Sequence, residues 1–321
     1  MASCRNLATH LGMGNSHSVL ISKEAYPATD IKQVIASTFG GNIEVIGDAT
    51  GQATVEVWGS YRSNDSAAIF SKVNQYTNLS ITRDNATLIV KAEQKKSVNS
   101  FFPNNDNVAV HFKIHVSQQV ANDLKTSGGN ISLARFVGDQ KLNTSGGNIQ
   151  IANVQGNIDG HTSGGNIDGE NISGTAITLG TSGGNIDISN SKGNITLETS
   201  GGNITAKDME GLLTAKTSGG NIDASNINGG LIGSSSGGNI DTKFTQVNAS
   251  IDLDNSGGDV HISIPKNAKV NLSIASENVK VDGLTNFAGK SDKDMVEGTL
   301  NGGGPVVKAR SSGGTVHLGI E

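Results

Sequence analysis

Between residues 126 and 240 the chain repeats one phrase, TSGGNI, at a nearly fixed interval. Copies start at Thr126, Thr144, Thr162, Thr181, Thr199 and Thr217. A near copy, SSGGNI, starts at Ser235, and echoes follow at Asn255 (NSGGDV) and Ser311 (SSGGTV). The serines at 127, 145, 163, 182, 200, 218, 236 and 256 are spaced by 18, 18, 19, 18, 18, 18 and 20 residues. A period near 20 predicts a solenoid, because each repeat is too short to bury its own apolar side and must stack on the next.

Each 18 divides into two nines. From Ser182 the chain reads SGGNIDISN, SKGNITLET, SGGNITAKD, MEGLLTAKT. Each nine opens on a glycine-bearing turn and then alternates apolar with polar, as in Ile186 and Ile188, Ile195 and Leu197, Ile204 and Ala206. Period 2 places both apolar residues on one face of a strand, whereas a helix needs them at i, i+3 and i+4. The predicted fold is therefore all-β: a single-chain β-solenoid of about 18 residues per coil, two strands per coil, stacked ~4.8 Å apart in parallel ladders. Composition agrees. Glycine is 43 of 321 residues, about twice the usual share, and aromatics are 4%, as a narrow column of Ile, Leu and Ala would have it. No proline interrupts residues 126–260, as unbroken ladders require. The step of 19 predicts one extra residue near Thr175 and Ala176.

The phrase can be read position by position. Gly128, Gly129 and their copies are expected at a positive φ or at a corner too tight for a Cβ. Stacking superimposes Asn130, Asn148, Asn166, Asn185, Asn203, Asn221 and Asn239, which predicts a structural ladder of amide-to-amide hydrogen bonds. The recurring Thr predicts a second ladder beside it.

The flanks differ from the repeats. Residues 1–18 are expected to be disordered or processed, 19–116 to form a β-rich cap, 117–260 the regular coils and 261–321 irregular coils with a C-terminal cap. Within the cap, Ala53–Ser60 and Leu79–Glu93 alternate like paired strands, the second around a turn at Asp84-Asn85. Ile69, Phe70, Val73 and Tyr76 stand at helical spacing after Asn64 or Asp65 as a cap residue. Val108–Val116 alternates cleanly, and Phe39–Val45 (FGGNIEV) reads as a degenerate early coil.

At this point the residues resemble a known group. A β-rich start, the strand VAVHFKIHV, serial TSGGNI coils and the closing NGGGPVVKARSSGGTVHL (residues 301–318) are similar to the bacterial putative-adhesin family of β-strand-repeat proteins of unknown function. The resemblance covers residues 19–321 and implies a β-solenoid in a cell-envelope or extracellular setting. It implies no mapped functional residue.

Charge and motifs narrow the chemistry. A net charge of −5 without clustered Lys and Arg excludes a nucleic-acid partner. No run of 18 apolar residues predicts a membrane span. Cys4, the single cysteine, follows Ala2 and Ser3 as in the end of a bacterial lipoprotein leader, so lipid attachment there stands beside chance resemblance. Nonapeptide Ca²⁺ β-rolls also use 18 residues per coil, with GGxGxDxUx. Here GGNID puts Ile at the later glycine and the Asp one place early. Asp168, Asp187, Asp223 and Asp241 are the candidate calcium ligands, against a plain solvated face. Residues 127–260 hold 13 acidic and 6 basic residues, which suits either. A polysaccharide-active enzyme would need carboxylates beside an aromatic platform, and that stretch offers only Phe136 and Phe244, with His161 unrepeated in neighbouring coils. His111 and His115 flank Lys113 on an exposed strand face, and the Thr and Asn ranks invite comparison with a crystal-surface binder. The expectation is a monomeric, non-enzymatic display or adhesion protein without cofactor. Its partner would be a surface protein or glycan, contacted at the variable positions between phrases. A structural or signalling envelope component is the alternative.

Overall fold

The computed structural model describes residues 18–95 and 108–321; Cys4 lies outside them. The chain divides into two compact units, Met1–Ser132 and Leu133–Glu321. Among the described residues there are twenty-two strands and one α-helix, and no helix is long and apolar enough to cross a membrane.

The first unit contains β1 (Ser18–Pro27), β2 (Gln33–Thr38), β3 (Ile43–Gly47), β4 (Gln52–Ser60), α1 (Ser66–Tyr76), β5 (Thr77–Asp84), β6 (Thr87–Gln94), β7 (Ala109–Val116) and β8 (Ala121–Thr126). Helix α1 begins where the sequence places it, with Asp65 Oδ1 accepting the Ala67 N–H at 2.9 Å. It buries Ile69 and Val73. β5 and β6 form the hairpin turned at Asp84-Asn85, with Asn85 at φ 51°. β2 lies between β6 and β8, all parallel. β3 runs parallel to β7, which is antiparallel to β4, itself antiparallel to β1. FGGNIEV is thus a fully formed coil. The residues between β3 and β8 fold back to cover one side of it, so sequence order and stacking order differ.

β9 (Ile131–Val137) leads into the second unit, with β10 (Gln140–Thr144), β11 (Ile149–Gln155) and β12 (Ile158–Thr162). The regular coils follow as β13 (Ile167–Thr181), β14 (Ile186–Thr199), β15 (Ile204–Thr217), β16 (Ile222–Ser235) and β17 (Ile240–Asn255). Each pairs in parallel with the next at the phrase's own register, for example Ile186 with Ile204 and Thr199 with Thr217. The extra residue at Thr175-Ala176 appears as a register shift between Gly174 and Ile177. The inward column holds Ile167, Ile186, Ile204, Ile222 and Ile240, all fully buried, and each such side chain contributes roughly 1.5–3 kcal/mol by leaving water.

Midway through each coil from β9 to β16 lies a second corner that the glycine pattern alone does not show. Arg135, Asn153, Asn171, Asn190, Asp208 and Asn226 all take positive φ, between 51° and 68°. The next residue turns inward: Val154, Ile172, Ser191, Met209 and Ile227 are buried. A glycine follows three places after the corner, and Gly138, Gly156, Gly193, Gly211 and Gly229 are also at positive φ.

The unit finishes with β18 (Val260–Ile264), β19 (Val270–Asp282), β20 (Phe287–Ser291), β21 (Met295–Leu300) and β22 (Val306–Ile320). β22 pairs in parallel with β17 and β18 along one edge and with β19 along the other. β19, β21 and β20 lie beyond it in that order, each antiparallel to the next. The irregularity of residues 261–321 is therefore a matter of order, because the coil that comes last in the chain lies one layer before the strand preceding it.

Candidate functional site

The TSGGNI corner shows what the phrase does. In the coil around Thr199, the Thr199 hydroxyl donates to Gly184 O of the preceding coil at 2.9 Å and accepts the Gly202 N–H of its own coil at 3.3 Å. Thr162, Thr181 and Thr217 repeat this, as do Ser235 and Ser311. These Thr are buried, with Thr126 and Thr144 at 2% and Thr181 at 7% exposure. They form no exposed rank, so the crystal-surface comparison loses its Thr.

The asparagines bond otherwise than expected. Asn185 Oδ1 accepts the backbone N–H of Asn203, whose own Oδ1 accepts that of Asn221, each at 2.8 Å. In the second unit the series runs from Asn148 through Asn166, Asn185, Asn203, Asn221 and Asn239 to Asp259 and ends on Thr315 N. In the first unit, Asn130 N–H donates to Asn42 Oδ1. The ladder is side chain to backbone, not amide to amide. The reason is geometric: the Asn N–H faces the preceding coil and would otherwise lack a strand partner. An amide-to-amide bond does occur at the other corner, from Asn171 Nδ2 to Asn153 Oδ1 at 3.0 Å, and Asn226 Nδ2 donates there to the Asp208 carboxylate at 2.8 Å.

The two glycines of the phrase are not equivalent. A Cβ on Gly202, the second, would stand 1.9 Å from Gly184 O, whereas one on Gly201, the first, would meet nothing nearer than 3.7 Å. Neither has a positive φ, so the tight approach of stacked backbones is what requires the second glycine.

His111 is a residue whose role the sequence conceals. Its Nδ1 accepts the Asn42 N–H at 3.0 Å, the place an Asn Oδ1 fills elsewhere, and its Nε2 lies 2.9 Å from Ser60 Oγ. An accepting Nδ1 is unprotonated, so the neutral imidazole donates from Nε2. Burial holds its pKa below the usual histidine value. It is half-buried, as is His115, whose Nδ1 pairs with Asp48 Oδ1 at 2.8 Å.

The carboxylate candidates fall in one column: Gln150, Asp168, Asp187, Thr205, Asp223, Asp241, His261 and His317 are successive in-register neighbours. Thr205 divides the four Asp into two pairs. Burial, then the neighbouring Asp187 charge, raises the Asp168 pKa. Asp241 accepts from His261 Nδ1 at 2.7 Å, and Asp282 accepts from His317 Nε2 at 2.6 Å. Among the described residues no group of three or more His, Cys, Asp or Glu gathers as a metal site.

Beside the TSGGNI corner runs a second column, one residue before each buried Thr or Ser: His161, Gly180, Glu198, Lys216 and Ser234, of which His161, Glu198 and Lys216 are exposed and Gly180 is buried. With the phrase serines Ser182, Ser200, Ser218 and Ser236 it lines a shallow groove of about 520 Å³. Gly180 leaves room for the His161 ring, whose Nδ1 would be 2.7 Å from a Cβ there, while His161 Nε2 lies 2.9 Å from Asp159 Oδ1. Lys216 Nζ stands 3.5 Å from Glu198 Oε1, both about half exposed. The serine rank repeats with the coils, whereas the column beside it changes at every step.

These coils, corners and register match a family. The Toastrack DUF4097 model matches residues 31–232 and 216–319. The chain belongs to the Toastrack DUF4097 family. This agrees with the resemblance carried by its TSGGNI coils and its NGGGPVVKARSSGGTVHL ending. Similar solved structures include a putative lipid binding protein from Parabacteroides distasonis, 14% identical over 96% of this chain and 98% of that one, with a TM-score of 0.38. A putative adhesin from the same organism is 16% identical over 95% and 98%, also at 0.38. A putative adhesin from Bacteroides fragilis is 15% identical over 95% and 97%, at 0.34. No residue role is carried over from them. No curated protein sequence matches the chain.

Proposed function

We propose that this Toastrack chain is a non-enzymatic β-solenoid of the bacterial envelope or exterior that adheres to a surface glycan along the groove beside the TSGGNI corner. The observation that carries this reading is the division of labour within the phrase. Thr, the second Gly and Ile are buried and Asn is bonded to the next coil, while the phrase serines are exposed beside His161, Glu198 and Lys216. Hydroxyls repeating every ~4.8 Å suit a hydroxyl-rich partner that exchanges hydrogen bonds with each coil. His161, Glu198 and Lys216 supply the differences that give direction and selectivity.

The test is binding of the purified protein to glycan and matrix-protein arrays, with E198A/K216A as the groove variant. Retention of a glycan by the native chain, lost in a variant of unchanged melting temperature, is the expected result. Equal retention by both, or binding to no glycan, counts against the groove and favours an envelope role without adhesive ligand.

A further inference from the structure

The chain order around β22 has a consequence for partners. β22 supplies a complete coil: Val307, Ala309, Val316, Leu318 and Ile320 enter the apolar column and are buried. It also carries the corner chemistry. Ser311 Oγ donates to Gly258 O at 2.8 Å, the Gly314 N–H donates to Ser311 Oγ at 2.9 Å, and the Thr315 N–H donates to Asp259 Oδ1 at 2.7 Å. On its other side, Ser276 Oγ of β19 donates to Gly314 O at 2.6 Å. A Cβ on Gly314 would lie 2.4 Å from Gly258 O. The seat between β18 and β19 therefore reads a strand by its alternation, by a hydroxyl and by a glycine three places later.

That seat cannot be filled in chain order. β17, β18 and β19 all precede β22, so the edge of β18 is complete before the strand that joins it to β19. β19 hydrogen-bonds to β21 on one side and β22 on the other. The β19–β21 pair thus reaches the coils through β22. Open strand edges accept any strand that matches them. The connection to β22, residues 301–305, turns through Gly302 and Gly303 at φ 88° and 83°, and exchange re-routes it by releasing the Asn301 Nδ2 bonds to Lys266 O and Ala268 O, both 2.8 Å. Exchange of an identical element is a low-cost route to association.

We propose that the seat between β18 and β19 is a strand-binding site and that its partner is β22 of a second copy of this chain, exchanged during folding. Outside residues 301–305 the exchanged pair makes the same contacts as the closed monomer, so concentration at the time of folding decides between them.

The experiment uses full-length chains with Cys4→Ser. His261 of β18 and His317 of β22 are in-register neighbours, with ring centroids 5.9 Å apart, and Lys280 of β19 is the neighbour of His317 on the other side. A chain carrying H261C is refolded together with one carrying H317C and treated with oxidant or a short bismaleimide. The expected result is a covalent heterodimer several-fold more abundant than that from H317C with K141C, a position away from the seat. K280C with H317C gives the same enrichment. The H261C/H317C double variant reports whether the seat is formed within one chain. Bridging in the double variant without enrichment in either mixture would show a strand that never exchanges and would overturn the proposal. Failure of the double variant to bridge would overturn the seat itself.

Discussion

The coils from β9 to β16 turn two kinds of corner, and they are built from different chemistry. At the TSGGNI corner the backbones approach so closely that a side chain is excluded, and buried hydroxyls and Asn carbonyls hold the layers together. At the mid-coil corner the strain is torsional: residues such as Asn190 sit at positive φ, and their side chains remain at the surface. A steric requirement against another backbone admits only glycine, so that corner is spelled almost identically each time. A torsional requirement admits Asn, Asp and even Arg135, so the second corner is written loosely. At Thr, the second Gly, Asn and Ile, sequence repetition measures how narrow the physical tolerance is, not where a ligand binds.

The comparison can be broken by substitution. The largest effect is expected for Gly202→Ala, whose Cβ would meet Gly184 O at 1.9 Å. Separating two coils should cost on the order of 3 kcal/mol or more, read as a loss of melting temperature. Thr199→Val removes one donor and one acceptor from buried backbone partners and should cost about 1–3 kcal/mol by denaturant titration. Asn190→Ala should cost about 1 kcal/mol for an L side chain held at positive φ, whereas Asn190→Gly should be close to neutral; if both cost the same, torsion is not what the corner requires.

A fourth test concerns His111, which stands where the ladder elsewhere has Asn. Its folded pKa is lowered, so the unfolded chain takes up the proton first as pH falls. Stability from this group is present above the unfolded histidine value near 6.5 and is lost as pH drops below it toward the folded pKa. His111→Asn should flatten that acid-side loss in a pH series of thermal melts. The smallest effect belongs to Gly201→Ala, where a Cβ meets nothing nearer than 3.7 Å; a change within about 0.5 kcal/mol is expected there.

Much of this was legible from residues alone. The 18-residue step set the register that pairs Ile186 with Ile204, and Pro-free alternation gave the strands. Helix α1 and its Asp65 cap followed from spacing. The mid-coil corner was legible in principle, because Asn153, Asn171, Asn190, Asp208 and Asn226 recur with the period and these residue types tolerate positive φ. Their neighbours vary, which hides the signal behind the louder glycines. Stacking order was not legible. SSGGTV at Ser311 and NSGGDV at Asn255 state the same register, and nothing in either says that β19 lies beyond β22. Likewise, no local pattern announces that His111 meets Asn42 across 69 residues. The groove shares this limit, since its column becomes visible only when coils are superimposed.

The central claim is that the Thr, second Gly, Asn and Ile of TSGGNI bond or pack the coils onto one another, which leaves only the serines to a partner. Amide hydrogen exchange at Asn185, Asn203, Asn221 and Asn239, followed by NMR, tests it most directly. These N–H groups lie in glycine corners at the surface, yet each is assigned an Asn Oδ1 acceptor on the preceding coil. Protection comparable to the strand amides of Ile186 and Ile204 is the predicted result, with Asn185→Ala selectively releasing the Asn203 amide. Exchange of all four at the rate of open loops would contradict the account and return the phrase to the surface as a candidate recognition motif.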